Sequence, residues 1–137
     1  MIVNNCYQYK TQVEFEDIDS YGIAHHSKLI NYLERARVHF FNDQNLSVQD
    51  GELLLVLASM EIKFFKPVKI LEEVTVHLSL DVLKSASLIW NYKITTSENT
   101  ILEAKVKQAS VDGNNLKPCR FKDTYREALE KLIKSDT

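Results

Sequence analysis

Between positions 16 and 26 the chain reads Glu16-Asp17-Ile18-Asp19-Ser20-Tyr21-Gly22-Ile23-Ala24-His25-His26, which sets three carboxylates and two imidazoles within eleven residues. These side-chain types suit acyl transfer. A carboxylate attacks a carbonyl directly or takes a proton from water, and hydrogen-bond donors opposite it hold the charge that develops on oxygen. The residues that follow, Leu29, Ile30, Leu33, Ala36, Phe40 and Phe41, recur at helical spacing, with Ser27 as the expected N-cap. A helix beginning there would aim unpaired backbone N–H groups and about half a positive charge at the polar run. One preorganised oxyanion donor is worth roughly 3 kcal/mol of barrier.

Each of these residues also has a plainer reading. Asp favours turns and helix entries, so Asp19 alone could simply cap the loop. Asp17 reads as structural or as an orienting partner for the loop, and Glu16 as solvated. His25 and His26 with Asp17 and Asp19 offer metal-ligand types, but adjacent histidines on an extended segment are expected to diverge. The chain has no H-x-x-x-H pair, and no metal site is expected. His39 and His77 read as surface or packing residues, and Phe40-Phe41 with Trp90 and Tyr92 as core or subunit interface.

The elements that must position this loop are legible from periodicity. Tyr7, Tyr9, Thr11, Val13 and Phe15 alternate with polar residues, which predicts a first strand ahead of the loop. After the helix and a polar connection, Val56, Ala58, Met60, Ile62 and Phe64 predict a strand closed by Pro67. Alternation returns at Val74, Val76, Leu78, Leu80 and Val82, at Leu88, Trp90, Tyr92 and Ile94, and at Leu102, Ala104 and Val106. That last strand is expected to stop at Asp112-Gly113-Asn114-Asn115. A C-terminal helix is predicted from Tyr125, Ala128, Leu129, Leu132 and Ile133. The order strand, long helix, four strands argues against a parallel doubly wound sheet and for an α+β fold in which one antiparallel sheet wraps a helix. One helix covers only part of a sheet face, so at least a dimer is expected.

Size and composition agree. The chain has 137 residues, 45% of them hydrophobic, enough for one domain spanning 1–137. With 17 Lys+Arg against 19 Asp+Glu, no global field attracts nucleic acid or an anionic membrane. Cys6 and Cys119 match neither a disulfide framework nor a C-x-x-C pair. Neither has an obvious activating neighbour. The start lacks the basic and apolar regions of a signal peptide, and no apolar run approaches the ~20 residues of a membrane span. A reducing, cytoplasmic setting is the expectation.

The run from Val13 to His26, with Asn31-Tyr32-Leu33-Glu34-Arg35-Ala36-Arg37 on the helix and Phe64-Phe65-Lys66-Pro67-Val68 beyond it, resembles the 4-hydroxybenzoyl-CoA thioesterase-like branch of the hotdog superfamily. The resemblance covers nearly the whole chain and implies a hotdog fold that hydrolyses an acyl-CoA thioester. It implies that Asp19 is the catalytic carboxylate, as nucleophile or base, and that the backbone N–H of His26 polarises the carbonyl, its side chain adding a hydrogen bond. Gly22 would permit the tight path that joins loop to helix. Ser59 and Met60 would line the pantetheine channel, with Lys84 and Arg120 at the nucleotide phosphates. No metal or redox cofactor is implied, and a homodimer or homotetramer is expected. Phe15, where the family often has Tyr, and Leu29, in place of an aromatic, depart from the pattern and are expected to reshape the acyl pocket. Two alternatives stay open: an acyl group carried on acyl carrier protein, and a noncatalytic acyl-ligand binder.

Overall fold

The computed structural model describes residues 1–46 and 53–133. A six-stranded antiparallel sheet runs β1 (Ile2–Val3), β2 (Cys6–Gln12), β4 (Glu73–Leu83), β5 (Ser87–Thr95), β6 (Thr100–Asp112) and β3 (Leu53–Phe64) in spatial order. Helix α1 (His26–Asp43) packs on one face, and the short helix α2 (Asp123–Glu130) follows the last strand. The long helix enters between β2 and β3, so neighbours in sequence end at opposite sides of the sheet. The antiparallel sheet around one helix is the arrangement expected from the order of elements, and it is the hotdog fold that the family resemblance implies.

The core forms between the apolar stripe of α1 and the inward side chains of the central strands. Leu29, Tyr32, Leu33, Ala36, Phe40 and Phe41 are buried on the helix. Against them lie Val74, Val76 and Leu78 of β4, with Leu88, Trp90, Tyr92 and Ile94 of β5. Phe41 meets the Trp90 ring edge-on at a centroid distance of 6.0 Å, and the Trp90 indole N–H donates to Gln108 Oε1 at 2.7 Å, satisfying a buried amide. The helix closes with Asn45 at φ 60°, where the Leu46 N–H donates to the Phe41 carbonyl and the Asn45 N–H to that of Asn42. That pair of bonds satisfies carbonyls that the helix leaves open at its end.

Three departures from simple alternation have local causes. Strand β2, which answers to the first strand predicted from alternation, stops at Gln12, and Phe15, 77% exposed, enters a 3₁₀ turn (Phe15–Asp17) instead of continuing the buried row. In β3 the register against β6 shifts between Leu57 and Ser59. The extra residue reverses the phase, so Leu55 and Leu57 share a face with Met60, Ile62 and Phe64 where unbroken alternation would have put Val56 and Ala58. A second bulge between Leu80 and Val82 turns Val82 to the opposite face from Leu80. The Leu80 N–H then donates to the Leu132 carbonyl at 2.9 Å, so Leu132 and Ile133 dock beside β4 after α2 has already ended at Glu130.

Candidate active site

The polar run becomes a compact loop bridging β2 and α1. Asp19 N–H donates to the Ile23 carbonyl at 2.9 Å and Gly22 N–H to the Asp19 carbonyl at 3.1 Å, while Ile18 and Ala24 pair antiparallel across the turn. Gly22 sits at φ +78°, a conformation that costs an L side chain energy and glycine very little. The Asp19 carboxylate folds back over this turn, Oδ1 accepting from Tyr21 N–H at 2.8 Å and from Ile23 N–H at 3.5 Å.

The helix start lies one residue before the expected cap. His25 is the N-cap: its Nδ1 accepts from Ser27 N–H at 3.3 Å and lies 2.8 Å from Ser27 Oγ. Ser27 belongs to the first turn, because the two-residue reach of the imidazole lets His25 satisfy an early donor. His26 is therefore the first helical residue, and among the described residues its N–H has no acceptor in the chain. The two imidazoles do not diverge. Their rings stack at 4.4 Å, and His26 lies edge-on to Phe64 at 6.4 Å.

A cleft of about 400 Å³ opens at this point, lined by Asp19, Ile23, Ala24, His25, His26, Leu29, Phe64, Phe65, Lys66 and Pro67. The Phe64–Pro67 wall is brought in by backbone pairing, since the Ala24 N–H donates to the Val68 carbonyl at 2.7 Å and Ile23 bridges Lys69. Asp19 and His26 thus share one cavity with an apolar floor. Leu29 lines it, whereas Phe15 faces solvent elsewhere. Gly22 shapes the turn without lining the cleft, and Ser59, Met60, Lys84 and Arg120 are also absent from its walls. Ser59 and Met60 lie exposed on β3, and the Phe121 N–H bond to the Ser85 carbonyl brings Arg120 near Lys84 beside the β4–β5 turn. Among the described residues, no three His, Cys, Asp or Glu side chains cluster as metal ligands would.

Asp17 has a different setting from Asp19. It is 3% exposed, and its Oδ2 accepts from Tyr32 Oη at 2.6 Å and from Glu14 N–H at 3.0 Å. Burial pushes its carboxyl pKa up, but the Tyr32 and Glu14 hydrogen bonds, with the Arg35 and Lys28 charges, hold it below the usual aspartate value. The Tyr32 hydroxyl is raised, first by burial and then by the Asp17 acceptor. Tyr32 and the Phe64–Lys66 wall were not read as site residues, because their relation to the loop depends on contacts distant in sequence.

Known proteins resemble the chain along most of its length. The family model of the Thioesterase-like superfamily matches residues 13–129. An acyl-CoA thioesterase YbgC of Haemophilus influenzae is 23% identical over 135 residues, covering 96% of this chain and 99% of the relative. A second YbgC acyl-CoA thioesterase, from Helicobacter pylori, is 24% identical over 132 residues, covering 90% and 99%. In structure, Slr0204, a 1,4-dihydroxy-2-naphthoyl-CoA thioesterase from Synechocystis, superposes with a TM-score of 0.86 at 20% identity, covering 93% of this chain and 97% of the other. At that identity the superposition speaks for the fold alone.

Proposed function

The chain belongs to the Thioesterase-like superfamily, and from that membership and the geometry of the 16–26 loop we propose that it hydrolyses an acyl-CoA thioester to a free acid and CoA. One observation carries the reading: Asp19 and His26 line one cleft, His26 is the first helical residue, and among the described residues its N–H has no acceptor in the chain. The thioester carbonyl oxygen would accept from the His26 N–H, where the helix end favours negative charge. Asp19 would attack the carbonyl carbon or take a proton from the attacking water. In either case the C–S bond breaks and sulfur leaves, protonated as the CoA thiol. With Asp19 as base the attacking water's oxygen stays on the acid; with Asp19 as nucleophile the resulting acyl–Asp19 anhydride is hydrolysed by water to the free acid and the restored carboxylate. The side chain of His26, a residue that lines the cleft, would add a hydrogen bond to substrate or water. Leu29, Phe64 and Pro67 would receive the acyl group.

The same reading extends to assembly. Among the described residues, strand β3 pairs only with β6 and leaves Leu54, Val56, Leu57, Met60 and Phe64 at least 36% exposed, a long apolar edge that a second copy would cover. A homodimer formed there would enclose Ser59 and Met60 along the pantetheine path, with Lys84 and Arg120 reserved for the nucleotide phosphates. The chain would act as one domain over 1–137 and need no metal or redox cofactor. The proposed setting is a reducing, cytoplasmic compartment. Among the described residues, no helix is long and apolar enough to cross a membrane.

The test is thiol release from short, long and aromatic acyl-CoA thioesters, with matched acyl-carrier-protein substrates alongside. The wild-type chain should turn over at least one acyl-CoA, and Asp19→Asn should lower kcat about 100-fold or more while keeping the fold and binding. Near-native hydrolysis by that variant would overturn the assignment of Asp19.

A further inference from the structure

We infer that the buried Asp17–Tyr32 pair is a positioning device that sets the Asp19 loop against the start of α1. The inference rests on the proposed role of Asp19 and concerns residues that do not line the cleft. Asp17 ties three elements at once. Its Oδ2 receives the Glu14 N–H, at the end of the first strand region, and the Tyr32 hydroxyl, from the second turn of α1. Its main-chain carbonyl receives the His25 N–H, at the helix cap, at 2.8 Å. The anchor therefore holds both margins of the loop, and Asp19 lies only two residues beyond it.

Tyr32 is wholly buried, and the Arg35 guanidinium lies 5.5 Å from its ring centroid, so the hydroxyl has little freedom to leave the carboxylate. The Ile18–Ala24 bridge then carries the anchor's placement into the turn that presents the Asp19 carboxylate. If Tyr32 loses its hydroxyl, the loop keeps its Glu14 and His25 bonds but loses its tie to the helix body. The expected consequence is a shift of Asp19 relative to the His26 N–H. Small displacements between attacking group and carbonyl-polarising donor weigh on the reacting geometry more than on the binding of a large ligand.

The test uses Tyr32→Phe and Asp17→Asn in the full chain, beside wild type and Asp19→Asn. We expect kcat to fall about 10- to 100-fold in Tyr32→Phe with KM little changed, and backbone amide shifts from Asp19 to His26 to move. Asp17→Asn, which retains one acceptor oxygen, should show an intermediate loss. A merely structural pair would lower the melting temperature while leaving kcat per folded molecule and the loop amides as in wild type, and that result overturns the inference. If Asp19→Asn keeps activity, the site reading fails instead, and the amide shifts alone decide whether the pair positions the loop.

Discussion

Asp17 and Asp19 are separated by one isoleucine and face opposite surroundings, one inside a hydrogen-bonded anchor and one in an open cleft. The buried member should dominate the acid response of stability. Its pKa is depressed in the folded chain, so its contribution is complete above the unfolded aspartate value and is lost as pH falls through the lower folded value. Replacing Asp17 by Asn should cost about 1–3 kcal/mol in urea unfolding at neutral pH, since buried acceptors are removed or mismatched. The gap from wild type should narrow only below pH ~4. A gap that widens on acidification would contradict the anchor. Which aspartate is buried was not legible in the string D-x-D. Turn chemistry accepts either, and only Tyr32, fifteen positions away, distinguishes them.

At the scale of elements, the loop and the helix cap are separate designs that meet at His25. Gly22 holds φ +78° with nothing within 4 Å of where a Cβ would stand, so Gly22→Ala should cost about 1–2 kcal/mol through backbone conformation alone. Gly22→Asn should cost less, because Asn visits that region more readily, and equal losses in the two variants would point to a contact instead. His25→Ala should remove the side-chain acceptor of the first turn and lose about 1 kcal/mol in chemical unfolding, with His25→Ser restoring much of it. The central strands were readable from alternation because Leu88, Trp90, Tyr92 and Ile94 face a single continuous core. Strand β3 was readable as a strand but not in its facing, since one inserted residue at the Leu57–Ser59 bulge reverses the phase and carries no mark in composition.

For the whole molecule, two surfaces set the expectations. Trp90 is fully buried with its indole N–H satisfied, so Trp90→Ala should cost about 3–5 kcal/mol in unfolding measurements. On the open edge, Leu57→Glu should shift sedimentation from dimer to monomer with little loss of monomer stability, because Leu57 is 59% exposed in the single chain. Wild-type protein that stays monomeric at all concentrations would remove β3 as the interface. Tyr92 adds a second inward signal. Burial pushes its hydroxyl up to about 12, with the charge and hydrogen bonding of Arg37 working against that rise. By itself the sequence determined the order of elements and the helix that follows the D-x-D loop, because these depend on periodicity and spacing within one stretch of chain, whereas the candidate pair Asp19 and His26 is what its resemblance to a thioesterase family implies. Tertiary structure alone decided that Phe64–Pro67 would wall the cleft and that Tyr32 would hold Asp17. Those contacts join segments whose separation along the chain leaves no periodic trace, and they exist only once the core between α1 and the sheet has closed.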